Sequence, residues 1–302
     1  MDPKAIETLA VNAVKDSVVV SDFLDQFIAD NDKEPTWDGF VYIYSDKSKK
    51  KEKLKGRLPV QIKGTENDDF SKEEISFPVS TVDLNNYLCD GGAVFFVVYI
   101  GNNGASRQTY YAALPPIKLK IYLADAKEQK SKSIKLKKFP TDPNEKATIF
   151  LQCLEDCQKQ ASFADAPLLS LEELEHQGVL EGISIPVSTV GGTDPKTALL
   201  KNEVYIYAKV KGSAIPQPIE VIPQEMTTNE TLNAHVSIGG RFFYSTVNVF
   251  KSAMTTTTVF GESVSIKTSS NNETVTISYT RSDKLRNMIV DLDFWLSWIE
   301  AG

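Results

Sequence analysis

Three polar side chains set among apolar, strand-like segments could do chemistry together: Asp38, Gln61 and Lys63. Gln61 and Lys63 lie two residues apart in RLPVQIKGT, and side chains two apart in a strand project to one face, leaving Val60 and Ile62 for the other. Asp38 stands at the entry to FVYIYS, the strand-like segment just before it. Paired strands run about 4.8 Å apart, so a hairpin of the two segments brings a carboxylate, a carboxamide and an ammonium toward one point. For an isolated Gln-x-Lys the plainer reading is a solvated hairpin face. The buried strand that follows in the chain shifts the weight toward a polar centre on a covered sheet.

A second chemical signal is charge. SDKSKKKEKLKGR, between the two strand segments, carries Lys47, Lys49, Lys50, Lys51, Lys53, Lys55 and Arg57 against Asp46 and Glu52. Residues 127–138 add Lys127, Lys130, Lys132, Lys135, Lys137 and Lys138. Together the two stretches hold 13 of the 33 basic residues of a chain whose net charge is -7. A charge run is usually a solubilising loop. This concentration in an acidic chain also fits a nucleic-acid face that binds phosphates with strong salt dependence and little base preference. No recognition helix or zinc finger that would read bases is apparent.

Several elements must position these groups. Residues 3–29 read as helical, broken near Ser21-Asp22 into two helices, and Pro35 forbids a helix through the loop NDKEPTWDG. Strands are expected at 40–45, 57–65 and 74–80, joined by a long lysine-rich hairpin loop. Ser80 or Thr81 caps a short helix over VDLNNYL that ends at Asp90-Gly91-Gly92. AVFFVVYIG (93–101) is apolar throughout, as a strand buried on both faces is. TYYAAL is its neighbour, and PPIKLKIYL starts a helix on prolines.

Beyond residue 125 a basic stretch leads to helices over NEKATIFLQCLEDCQKQASF and LSLEELEHQ, the second capped by Ser170. From about 181 the pattern turns strongly β and suggests a sandwich or barrel. The terminal helix carries Met288, Ile289, Leu292, Trp295, Leu296 and Ile299 on one face, with Val290, Phe294 and Trp298 on the other. Packing on the β domain is the plain reading of such a helix, and a partner or homodimer surface the sharper one. The expected organisation is α+β, with a catalytic-type domain over 1–140, a helical connector over 141–180, and a β-rich interaction or oligomerisation domain with its helix over 181–302.

Trp37-Asp38-Gly39, Tyr42, Tyr44 and then Gly56, Arg57 and Pro59-Val60-Gln61-x-Lys63-Gly64-Thr65 carry a resemblance. They resemble the PD-(D/E)xK nuclease superfamily, and more closely an uncharacterised bacterial N-terminal domain family with the pattern WDGxIYxY…GRxPVQxKGT. Val41 stands where that pattern has Ile. FPVSTVDLNNYLCDGGAVFFVVYI looks like the helix and strand that complete such a fold, so the resemblance covers about 1–125. Domains of this kind occur in anti-phage defence proteins such as nuclease effectors of Lamassu-type systems, and Mrr-like restriction nucleases share the Gln-x-Lys form.

The resemblance implies a restriction-endonuclease-like core, a mixed central sheet flanked by helices, that cleaves phosphodiester bonds, with double-stranded DNA the expected substrate. It implies Mg²⁺ or Mn²⁺ held by Asp38, by Gln61 and by the Ile62 carbonyl, all hard oxygen donors. Such an ion polarises the scissile phosphate and lowers the pKa of an attacking water. Lys63 then orients that water or stabilises developing negative charge. Glu7 on the first helix is a further acid, and Glu34 a weaker candidate. Lys49, Lys50, Lys51, Lys53, Lys55 and Arg57 become the nucleic-acid contacts, and partner proteins of a multi-subunit defence complex, or further copies of the chain, are expected. Gln61 departs from the usual acidic residue, and a neutral amide supplies a dipole in place of a charge. The alternative is therefore a catalytically inactive nuclease-fold subunit that binds nucleic acid or protein. A third reading, a ligand sensor, needs a deep apolar pocket within 181–280.

Other classes fit less well. His176 and His235 have no Ser or Cys partner pattern for a hydrolase triad, and no phosphate-binding glycine loop suggests ATP hydrolysis. Cys89, Cys153 and Cys157 form neither a disulfide framework nor a four-ligand metal set, which fits a reducing compartment. Glu7, Lys15 and Asp16 interrupt the opening segment where a secretory signal needs an apolar core, and no apolar run suffices to span a bilayer. No membrane association and a cytoplasmic location are expected.

Overall fold

The computed structural model describes residues 1–29, 36–223, 225–269 and 274–301, which fall into two compact units. The first unit comprises Met1–Ala198 and Glu203–Pro223, the second Leu199–Asn202 and Gln224–Gly302.

The first unit begins with α1 (Pro3–Val19), started by a proline at a position where no N–H is needed. It buries Ala10, Val11, Val14 and Val18 along one stripe. The second helix expected before residue 29 is instead a strand, β1 (Leu24–Ile28). Leu24 and Ile28 turn inward while Phe27 is 70% exposed, and the segment pairs antiparallel with β2 (Gly39–Tyr44), Leu24 opposite Ile43. An available backbone ladder overrides a weak helical period. Then follow β3 (Leu54–Glu66), β4 (Glu74–Ser80), α2 (Thr81–Cys89), β5 (Ala93–Gly101), β6 (Ser106–Leu114), α3 (Pro116–Ala126), β7 (Ser131–Lys138) and α4 (Pro143–Gln160). Ser80 caps α2 by accepting from the Asp83 amide at 3.0 Å, and Asp142 caps α4 by accepting from the Asn144 and Glu145 amides.

The seven strands form one mixed sheet, ordered β1-β2-β3-β5-β6-β7-β4. Only β3 and β5 run parallel, Val60 beside Val94 through Glu66 beside Ile100, and the other pairs are antiparallel. Both faces are covered. On one, Val41, Ile43, Val60, Ile62, Val94, Phe96 and Val98 meet α1 and α4. On the other, Phe95, Val97, Tyr110, Ile134 and Leu136 meet Leu84 of α2 and Leu119 of α3. The basic stretch near 131–138 is the strand β7, with Ile134 and Leu136 inward and Lys135 and Lys137 alternating outward. The segment read as a connector is largely α4, whose Ile149, Phe150, Cys153 and Leu154 belong to the sheet's core. The unit continues through α5 (Leu171–His176), capped at Ser170 without a side-chain hydrogen bond, and β8 (Leu180–Ser184). After α6 (Pro195–Lys201), which spans the boundary between units, β9 (Tyr207–Val210) and β10 (Gln217–Pro218) complete a three-stranded sheet β10-β9-β8.

The second unit is a five-stranded antiparallel meander, β11 (Thr228–Ile238), β12 (Arg241–Lys251), β13 (Thr255–Phe260), β14 (Val264–Ser269) and β15 (Val275–Tyr279), followed by α7 (Leu285–Ala301). The β-rich region is thus a single open sheet partnered by a helix, where a sandwich or barrel was expected. Phe294 packs its ring on Phe243, Tyr244 and Phe260 at centroid distances of 5.1 to 5.3 Å, and Trp298 also meets Phe260. The Asp291 carboxylate accepts from the Tyr244 hydroxyl at 2.8 Å and from the Glu262 amide at 3.0 Å. The packing face of α7 is therefore the Asp291–Phe294–Trp298 side. No helix among the described residues is long and apolar enough to cross a membrane.

Candidate functional site

Asp38 extends the β2–β3 ladder by one residue. Its amide donates to Val60 O at 2.9 Å and its carbonyl accepts from the Ala29 amide at 3.0 Å. With Gly39 paired to Val60, Asp38 falls directly across from Gln61. Gly39 makes this entry possible. Its φ is +145°, and a Cβ there would lie 2.2 Å from Phe27 O, inside the backbone of β1. The Trp-Asp-Gly turn thus has a steric cause: no side chain fits at its third position.

The carboxylate of Asp38 gathers the neighbouring strand. Its Oδ2 accepts from the Gln61 side-chain amide at 2.7 Å and from the Ile62 backbone N–H at 2.6 Å. The same Gln61 nitrogen lies 3.4 Å from the Ile62 carbonyl oxygen. The three groups that the resemblance implies as metal ligands, the Asp38 carboxylate, the Gln61 amide and the Ile62 carbonyl, therefore come together at the Gln61 side-chain nitrogen. Gln61 is only 6% exposed, so its amide is held by these partners and not by bulk water. Trp37, next to Asp38 in the chain, packs at a tilt on Tyr87 of α2 with centroids 5.7 Å apart, and Tyr87 packs in turn on Phe95. Burial pushes the Tyr87 hydroxyl above its usual pKa, and the negative charges of Asp83 and Asp38 push it further. Tyr87 keeps its proton at neutral pH and forms an apolar wall with a polar tip.

Lys63 lies two residues beyond Gln61 on the same sheet face, roughly 7 Å further along β3. It is exposed, without an ion-pair or hydrogen-bond partner among the described residues. Arg57 lies on that face in the other direction, beside Tyr42, its guanidinium 4.2 Å over the ring of Phe40. It opposes the burial that raises the pKa of Asp90, at the end of α2. Arg57 and Lys63 thus flank the Asp38–Gln61 pair along a single strand.

Other predicted residues are not brought in. Glu7 is exposed on α1, and α1 covers the opposite face of β3: a Cβ on Gly64 would meet Ile6 and Ala10. Glu34 lies outside the described residues. Among the described residues no three His, Cys, Asp or Glu side chains gather to hold a metal ion. The lysine loop closes the far end of the hairpin from Asp38, roughly 20 Å away at the rise of a strand. Part of its charge is already engaged: Lys47 pairs with Asp22 at 2.9 Å, Lys53 with Asp46 at 3.5 Å, and Lys49 donates to Leu24 O. Lys50 and Lys51 remain exposed, and Lys55 lines a hollow of about 300 Å³ with Leu151, Leu154, Glu155, Gln158 and Lys159 of α4. In the second basic stretch, Lys132, Lys135 and Lys138 pair with Asp125, Glu74 and Glu73.

Sequence reasoning missed Tyr87 and Asp90, which approach the site only through the tertiary position of α2. The spacing of a Trp before Asp38 and a Tyr in the helix ahead of β5 was the available signal. Cys153 and Cys157 are buried in α4. On the five-stranded sheet, a hollow of about 220 Å³ lined by Phe242, Tyr244, Thr246, Asn248 and Val259 among others is smaller than a usual ligand pocket. No protein-family model matches the chain, and comparison with curated proteins and with solved structures finds no match.

Proposed function

We propose that the first unit is a metal-dependent nuclease domain acting on DNA, and that the chain serves as a cytoplasmic effector of bacterial anti-phage defence. The observation that carries the catalytic reading is the meeting of the Asp38 carboxylate, the Gln61 amide and the Ile62 carbonyl at one point, with Lys63 next along the same face. The likeness of Trp37–Gly39 and Pro59–Thr65 to PD-(D/E)xK domains supports it and is the sole basis of the defence role.

The donor set suits Mg²⁺ or Mn²⁺ by type, being three oxygens with one negative charge, and Mg²⁺ commonly keeps several waters of its own. Asp38 would hold the ion by its carboxylate. Gln61 would present its amide oxygen, turned over from the orientation in which its nitrogen donates to Asp38. Bound there, the ion would supply charge stabilisation at a phosphate and a more acidic water. Lys63, exposed two residues further along the same face, would stabilise charge developing on a phosphate oxygen. Arg57 offers a second cation to the phosphate chain, and Lys50 and Lys51 a more distant one.

The test is plasmid cleavage with Mg²⁺ or Mn²⁺, with EDTA controls. Cleavage should fall at least about a hundredfold in Asp38→Ala and Lys63→Ala, while Glu7→Gln retains it. Wild-type protein that binds DNA without cutting it in either metal would sink the catalytic reading. A second reading rests on a specific feature: Asp38 Oδ2 already accepts two hydrogen bonds from β3, as a purely structural clamp would. Under that reading Asp38→Ala lowers the melting temperature, metal leaves it unchanged, and the unit is a binding module.

A further inference from the structure

Of the six large apolar side chains exposed along α7, all but Val290 fall in one stripe: Leu285, Ile289, Leu292, Leu296 and Ile299, between 41 and 67% accessible. Their separations are four, three, four and three residues. That alternation is the 3.5-residue repeat of a coiled-coil seam, which a second helix fills. The helix does not need this stripe to hold its own sheet, because Asp291, Phe294 and Trp298 on the other side do so.

We infer that α7 pairs antiparallel with α7 of a second copy of this chain, making a homodimer. The argument for a second copy is self-complementarity, which a two-fold interface requires. With the two helices antiparallel and fully overlapped, Ile289 meets the partner's Ile299, and Leu292 meets the partner's Leu296. Both layers recur by symmetry, so four of the five stripe residues are covered in matched layers. Charge agrees with the same register. Arg286 and Glu300 flank the stripe near its two ends, both exposed and without an ion-pair partner among the described residues. The antiparallel register sets Arg286 beside the partner's Glu300, twice. A parallel pair would instead bring like charges to the same level. Asp293 faces the partner's Asp293 near the two-fold axis, but each is already bound by Arg241 of its own chain, Nη1 to Oδ1 at 3.0 Å.

Sedimentation velocity on the full chain over a concentration series tests this. The wild type is expected to sediment as a dimer. Leu292→Asp with Leu296→Asp should yield a monomer with unchanged circular dichroism, since neither side chain is buried within its own chain. Arg286→Glu alone should weaken the dimer roughly tenfold, Glu300→Arg alone likewise, and the two together should restore it. A wild type that stays monomeric at the highest concentration overturns the proposal. So does a dimer that survives the double Asp change, and a charge exchange that fails to restore pairing overturns the antiparallel register.

Discussion

The two units bury their strands in different ways. In the first, the seven-stranded sheet has helices on both faces, so β5 is buried almost along its whole length. In the second, five strands share one helix, and Leu232, Phe242, Val275 and Ile277 remain exposed. There cohesion comes from a cluster of aromatic rings around Phe294 and from the carboxylate of Asp291. The difference teaches that a two-sided sheet can seat a partly buried polar pair such as Asp38–Gln61 without losing its core. A one-sided sheet depends on a few anchor residues and leaves surface for association.

The sharpest way to break the comparison is to remove one anchor from each unit. Phe150→Ala, in the core formed with Phe96 and Phe139, and Phe294→Ala should each cost about 3–5 kcal/mol in its own unit. Hydrogen exchange read by mass spectrometry should show protection lost from the seven-stranded sheet in the first variant and from β11–β15 in the second. Loss across both units from either change would show that they unfold as one.

Acid titration separates the units by sign. Asp156, buried in α4 between Gln152 and Tyr207, has its pKa raised to about 6, by burial and against the hydrogen bonds from those two side chains. Its folded value exceeds the unfolded one, so the folded protein binds the proton more tightly. Stability of the first unit should be full below pH 4 as far as this group is concerned, and should fall by roughly 3 kcal/mol as pH rises to 6. Glu262 of the second unit is lowered to about 2 by hydrogen bonds from Lys284, Ser282 and Asn287. Its contribution is present above about pH 4.5 and is lost as pH falls toward 2, and exposure to solvent keeps it small. Urea unfolding at several pH values should show the first unit's trend vanish in Asp156→Ala. A trend that persists there would assign it to another group.

A smaller effect is expected from Asp291→Asn. An amide there retains one acceptor for the Tyr244 hydroxyl and the Glu262 amide where the carboxylate has two, and sets an NH₂ near the Glu262 N–H. The second unit should lose about 1–3 kcal/mol by thermal unfolding, with the first unchanged.

Much of this was legible in the residues, and the failures have physical causes. AVFFVVYIG announced a strand covered on both sides, and β5 spans those residues. The pairing of Asp38 with Gln61 followed from strand periodicity and a hairpin. β1 was misread because Phe23, Leu24 and Phe27 mimic a helical period, although only the first two are buried. β7 was passed over because its lysines drew attention, while Ile134 and Leu136, two residues apart, carried the strand signal. Two apolar faces on α7 left its packing side open in the sequence, and aromatic partners on β12 and β13 select Phe294. Spatial neighbours such as Tyr87 and Asp90 had no local mark, because the position of α2 depends on the strand order.

The strand order also bears on how the chain folds. Asp38 and Gln61 meet in a hairpin closed over 23 residues, a short loop to close. β4, next in the chain, finds its partner only in β7 at the far edge, Glu74 opposite Lys137. Contacts of such long sequence separation form late and slow the search for the native state. The polar pair therefore belongs to the part of the sheet that can assemble first, while its aromatic wall on α2, carried between β4 and β5, arrives with the final closure.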